Sequence, residues 1–390
     1  MLQQSALAVL ALLDSVQIEK EENVKNILVT GGGGYVGTVL SQRLSKKGYV
    51  VKVLDNFMFG DHLDGLEGIV RFKGDIRDKN LVTQALKNTD CVIHLAAISN
   101  DPCSELDPEL TRQVNYEASK FLIKRSKEMG IERFIFASSS SVYGIKKEPE
   151  VTEDLKLEPI TLYSELKGKT EEFLLSQGDE NFTVIAVRSA TVCGYSPRMR
   201  LDTILNIFVS CAYNKGKILI EGGQQRRPLI HIDDIVRFYS MLIEVEKERV
   251  AGEVFNVSYD NYKVIDVAKL VQSKIPCTIE KTRVTDPRSY SLSTKKVSSV
   301  LGFKPHRDIS EAVDEVKEAF EQRKIDPDDI RNYNVRLMKS KKAIQNGMIP
   351  HRSKLWTNVS RNQRSQTISH PVAIFIERMR NGRLRVTQNA

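Results

Sequence analysis

This 390-residue chain has a single tryptophan, five cysteines and only 7% aromatic residues. No apolar run approaches the roughly twenty residues that a bilayer-spanning helix needs, so a membrane protein is not expected. The short run from Ala6 to Leu13 lacks a basic flank before it and a small-residue cleavage site after it. It reads as an extra helix rather than a signal peptide. Cys91, Cys103, Cys193, Cys211 and Cys277 are odd in number and scattered, with no C-x-x-C pair. That spacing excludes a disulfide framework and a cysteine zinc site, and fits reduced, mostly buried thiols in a cytoplasm.

Acidic charge is also short, with 58 Lys and Arg against 50 Asp and Glu, a net of +8. The excess is local. From Glu321 to Ala390 there are 15 basic and 5 acidic side chains, which leaves the other 320 residues with 43 and 45. The body of the chain is therefore not a nucleic-acid-binding surface. Only the tail, which holds Trp356, has the charge for RNA or an acidic surface, and a tail of this composition is more often simply solvated. Within it, 326–342 is compatible with helix packed on the body.

What is present begins at Val24 to Gly37, VKNILVTGGGGYVG. The apolar run Ile27, Leu28, Val29 enters four glycines, and Val39, Leu40 and Leu44 then follow at helical spacing. Read as Gly-x-x-Gly-x-x-Gly, Gly31, Gly34 and Gly37, with Tyr35 and Val36, bring bare backbone to a pyrophosphate at a helix N-terminus. Asp55 closes the next apolar run, YVVKVLD, where it would accept the hydroxyls of an adenosine ribose. No Arg or Lys follows before Arg71, so NAD is preferred over NADP.

Strand and helix patterns then alternate. Ile69–Phe72, Asp90–Ala97, Arg133–Ala137 and Phe182–Arg188 read as strands. Leu81–Leu86, Tyr116–Met129 and Leu162–Leu175 read as helices. Near-continuous apolar strands separated by amphipathic helices predict an α/β fold, a Rossmann-type doubly wound parallel sheet, with a smaller C-terminal substrate-binding lobe. The expected division is an N-terminal extension (1–23) and an NAD-binding domain (24–195, with 229–257 returning to it). The lobe takes 196–228 and 258–323, and a basic C-terminal extension takes 324–390.

The fifth strand ends in hydroxyls, Ser138-Ser139-Ser140-Ser141-Val142-Tyr143-Gly144, where such a sheet holds its reacting atoms. On the following helix Tyr163 and Lys167 stand at i and i+4, on one face. The ammonium is expected to lower the phenol pKa so that Tyr163 can take a hydroxyl proton while hydride leaves for NAD. Tyr-x-x-x-Lys also occurs at Tyr116, Tyr143, Tyr213 and Tyr259, so position after the serine-ended strand decides the choice. His94, inside an apolar strand, reads as a hydrogen-bonded core histidine, and Cys193 as packing.

Together TGGGGYVG, Asp55, GDIRD, HLAA, Asn115, SSSSVYG, YSELK, RRPLIHIDD, DPRSY and LGFKP resemble the extended short-chain dehydrogenase/reductases of the nucleotide-sugar epimerase/dehydratase family, over roughly Asn26 to Phe320. The resemblance implies that Ser139 is the catalytic hydroxyl, sharing the substrate oxygen with Tyr163, while Lys167 also holds the nicotinamide ribose. It implies that Asp75 and Ile76 flank the adenine, that Leu95 and Ala96 line the cofactor and that Asn115 lies near it. It places Arg227 and Arg288 on the diphosphate of a nucleotide-sugar substrate. Thr191 stands where many epimerases carry an asparagine that contacts the nucleotide phosphate. Family dehydratases carry Asp-Glu after the catalytic hydroxyl; Ser140 and Ser141 stand there, which favours an epimerase, at C4, in a homodimer. The alternatives are a 4-keto-sugar reductase and a non-catalytic NAD- or RNA-binding member of the fold.

Overall fold

Period-two alternation along apolar strands sorts their side chains to two sides of one sheet. Ile27, Val29, Val51, Val53, Ile93, Ile135 and Ile185 enter one buried cluster. Their neighbours Leu28, Leu54, Val92, Phe134, Phe136 and Val184 enter another. A sheet with a core on each face is covered by helices on both sides, and its strands run parallel. The computed structural model describes residues 26–283 and 289–345, and side chains to 341. The proposed helix at Ala6 to Leu13, Arg288 and the tail beyond 345 lie outside the described residues.

The strands are β1 (Asn26–Thr30), β2 (Val50–Asp55), β3 (Ile69–Lys73), β4 (Cys91–His94), β5 (Arg133–Ala137), β6 (Thr183–Ser189), β7 (Thr191–Cys193), β8 (Lys217–Glu221), β9 (Arg226–His231), β10 (Glu253–Val257), β11 (Asp260–Lys263) and β12 (Thr278–Thr282). The main sheet has seven parallel strands in the order β10-β6-β5-β4-β1-β2-β3. Its chain reverses direction of travel between β3 and β4, so the ligand crevice of a doubly wound sheet falls at the carboxyl ends of β1 and β4. Smaller sheets follow, β11-β9-β7 and β12-β8.

The expected helix Leu162–Leu175 and strand Arg133–Ala137 are found with those bounds. The strand expected over Asp90–Ala97 is shorter, because beyond His94 the backbone leaves the sheet toward the crevice. The helix expected from Tyr116 begins as a π-turn, Gln113–Glu117, before the regular Ala118–Glu128. Periodicity does not reveal a π-turn, since one extra residue only shifts the apolar stripe.

A buried ion pair ties this frame together. Arg188 on β6 is 5% exposed and Glu171, on Leu162–Leu175, 2%. Arg188 Nη2 donates to Glu171 at 2.5 Å, and Nη1 donates to the Tyr143 hydroxyl at 2.7 Å. The Tyr143 hydroxyl in turn donates a hydrogen bond to Asn256 Oδ1, on β10, at 2.8 Å. Removing one member leaves the other charge buried alone. Arg188→Met should therefore lower the unfolding free energy in urea by about 3–5 kcal/mol. A loss below about 1 kcal/mol, the worth of an exposed pair, would contradict that role.

Candidate active site

The first turn after β1 sets the crevice. Gly31 has φ +72°, and a Cβ there would lie 2.6 Å from the Ala96 nitrogen, so only glycine lets β1 and the chain after β4 meet backbone to backbone. A Cβ on Gly37 would fall 2.1 Å from the Gly31 carbonyl oxygen. The helix Tyr35–Lys46 starts at Gly34, which has no side chain to cap it and no acidic residue in the first turn. The amides of Tyr35, Val36 and Gly37 therefore stand at a positive helix end that no acidic side chain of its own first turn answers. The Tyr35 ring is buried, its hydroxyl donating to the Gly194 carbonyl at 2.6 Å, and burial drives that phenol far above its ordinary pKa.

Asp55 closes the turn from β2. Its carboxylate accepts the Gly33 amide at 3.0 Å and the Phe57 amide at 2.7 Å. Burial raises its pKa, opposed by those two amides. Asp75 is gripped by Arg77, which holds its carboxyl below the ordinary value, and Ile76 beside it is 6% exposed. Leu95 and Ala96 leave β4 half-buried at the crevice. Asn115 is buried and uses its amide to hold backbone. Its Oδ1 accepts the Ile98 amide at 2.8 Å and its Nδ2 donates to the Ile98 carbonyl at 2.9 Å, pinning the loop that follows β4. His94 is a core histidine, bonded to Thr30 at 2.6 Å and Ser119 at 2.8 Å, with burial lowering its pKa to about 3. The Cys193 thiol, 0% exposed, donates to the Ile230 carbonyl, and the five cysteines are free.

The groups expected to react stand one strand further on. Thr161 and Ser164 form a reciprocal cap that starts Leu162–Leu175 one residue before Tyr163. Ser139, at the end of β5, acts on the Tyr163 phenol by favouring its ionised form, and its Oγ accepts a hydrogen bond from Ser141 Oγ at 2.9 Å. Lys167 is 4% exposed, donates to the Ala137 carbonyl at 2.7 Å and lies 5.9 Å from the Tyr163 ring centroid. The expected lowering of the Tyr163 phenol is outweighed here by burial. Burial pushes the Tyr163 phenol up to about 12, and the cation that opposes it is Arg200. Burial also brings Lys167 down to about 7, so its charge is itself costly here.

Thr191 on β7 pairs with Leu229 of β9, and Arg227 lies two residues before Leu229, on the same sheet face. The Arg227 Nη1 donates to the Arg226 carbonyl at 3.1 Å. Three side chains absent from the sequence reading join this region. Tyr290 meets Ser140 at 3.1 Å, Arg200 acts on Tyr163, and Arg198 acts on Asp55. The basic segment PRMR after the sixth strand was the visible signal for the two arginines.

The fold places this chain among Rossmann-type dinucleotide-binding proteins. It belongs to the NAD dependent epimerase/dehydratase family, whose pattern matches residues 27–258. It is 29% identical to a UDP-glucose 4-epimerase of Lactobacillus helveticus over 74% of this chain and 94% of that one. It is 27% identical to a dTDP-D-glucose 4,6-dehydratase of Mus musculus over 72% and 84%. The structure of a UDP-glucuronic acid 4-epimerase from Bacillus cereus, in complex with UDP-glucuronic acid and NAD, superposes with a TM-score of 0.70 at 25% identity, covering 76% of this chain and 99% of that one. NAD is the cofactor, and the glycine cradle that any Cβ would fill, the uncapped helix end and the carboxylate of Asp55 fit it.

The phenol titration follows from this geometry. In NAD-free protein, the difference in tyrosinate absorbance between the wild type and Tyr163→Phe should titrate near pH 12, and a bound positive nicotinamide should move it down. A midpoint below 10, the ordinary value for tyrosine, in NAD-free protein would contradict the dominance of burial.

Proposed function

We propose that this protein is a nucleotide-sugar epimerase acting at C4 through a 4-keto sugar, with Tyr163 as general base. The observation that carries this reading is the placing of Ser139, at the end of β5, beside the buried Tyr163 phenol, with Lys167 one turn along the same helix. A sugar hydroxyl held between Ser139 and Tyr163 has one group to orient it and one to accept its proton. Bound NAD would take up and return the hydride at the carbon bearing that hydroxyl. Lys167, buried beside Tyr163 and within reach of the ribose side of the crevice, favours the phenolate when charged.

Ser140 and Ser141 support epimerisation over loss of water. Elimination needs an acid and a base at C5 and C6, and here the two positions carry hydroxyls bonded to Tyr290 and Ser139. The Lactobacillus and Bacillus relatives are themselves 4-epimerases. Thr191, Arg227 and Arg288 are the proposed contacts to the nucleotide, from a lobe at 196–228 and 258–323. A cytoplasmic homodimer with the Tyr163 helix at its interface completes the proposal. Among the described residues no helix is long and apolar enough to cross a membrane.

Tyr163→Phe should lower kcat on UDP-sugars by about 10²- to 10⁴-fold while NAD stays bound. Rates close to wild type would remove Tyr163 from the mechanism. Turnover should leave the nicotinamide absorbance unchanged at the end of reaction, whereas a stoichiometric change would identify a reductase.

A further inference from the structure

Residues 325–334 lie beyond the family-matched residues 27–258 and return to the loops at the carboxyl edge of the main sheet. The Asn332 carbonyl accepts the Leu201 amide at 2.8 Å. Asn334, 5% exposed, receives Arg198 Nη2 on its Oδ1 at 2.6 Å and donates from Nδ2 to Ser99 at 3.0 Å. Arg331 Nη1 lies 3.6 Å from where a Cβ on Gly60, in the loop after β2, would stand. The segment is braced within itself, Tyr333 donating to the Pro327 carbonyl at 2.9 Å and Asn332 to the Asp326 carbonyl at 2.9 Å.

These contacts define a bridge. Ser99 belongs to the loop after β4 and Gly60 to the loop after β2, while β1 and its glycine turn lie between them. A segment that reaches both loops is placed to cross the mouth of the dinucleotide crevice. Arg198 is its keystone. It is 2% exposed, stacked 3.7 Å from the centroid of Phe59, and among the described residues its Nε has no hydrogen-bond partner. A buried guanidinium in this state retains donor capacity toward an anion such as a pyrophosphate.

We propose that residues 325–334 are a strap across the NAD crevice, in which Asn334 is a positioning residue that ties Arg198 to Ser99, so that bound cofactor leaves only when the strap lifts. The proposal rests on the cofactor reading of the crevice and adds a device for retention. Cofactor that is regenerated in each cycle gains nothing from leaving, so a closed strap suits recycling chemistry.

The full-length protein loaded with NAD is mixed with excess etheno-NAD, and release is followed by fluorescence in wild type, Asn334→Ala, Ser99→Ala and the double variant. Each single variant should release NAD roughly tenfold faster, the scale of one or two lost hydrogen bonds to charged or buried partners. The double variant should be no faster than the faster single one, because both cut the same tie. Asn334→Asp, which can still accept from Arg198 and from the serine hydroxyl, should restore slow release. Circular dichroism and Tm separate this from unfolding. Wild-type release in Asn334→Ala and Ser99→Ala that remain folded would overturn the strap. Wild-type protein that takes up no NAD would overturn the strap and the cofactor reading together.

Discussion

The contact between Gly31 and the Leu95–Ala96 backbone governs the rest of the molecule. With a Cβ 2.6 Å from the Ala96 nitrogen, no other residue lets the ends of β1 and β4 close to that distance. That closure fixes the floor of the crevice. Thr30, His94 and Ser119 then lock the same two strand ends from beneath with buried hydrogen bonds. Asn115 holds the loop above them through both bonds to Ile98. Local glycine freedom, strand pairing and a buried polar chain thus converge on one place where a dinucleotide fits.

Electrostatics beside that floor is a contest between burial and charge. Raising the Tyr163 phenol from 10 to about 12 makes its proton harder to remove by roughly 3 kcal/mol. One positive charge about 4 Å away, at an effective dielectric near 20, returns about 4 kcal/mol. A single cation can therefore decide whether Tyr163 is a base. Lys167 alone does not decide it, since the same burial pulls its own pKa to about 7. In the mechanism we propose, a positive nicotinamide would supply such a charge and so tie proton removal to a loaded cofactor.

Much of this was legible in the residues. The glycine turn, Asp55, the apolar strands and the helix bearing Tyr163 announce themselves because backbone freedom and side-chain period are local properties. The interplay of Tyr163 and Lys167 was not legible, because i and i+4 spacing gives proximity and says nothing about solvent. Asn115 was placed beside the cofactor by resemblance, yet its amide serves Ile98. Arg198 and Arg200 were hidden because they approach Asp55 and Tyr163 from more than thirty residues away in sequence. The seam formed by Ser99, Arg198 and Asn334 spans 235 residues, and no periodicity encodes such a meeting.

The glycine floor, together with the base and the strap we propose, would make an enzyme that keeps its cofactor. The most direct measurement is to purify the full-length protein without added cofactor, denature it and identify the released nucleotide. NAD, in an amount close to that of the protein, is the result expected from retention and recycling. An empty protein, or one that releases NADP, would contradict it.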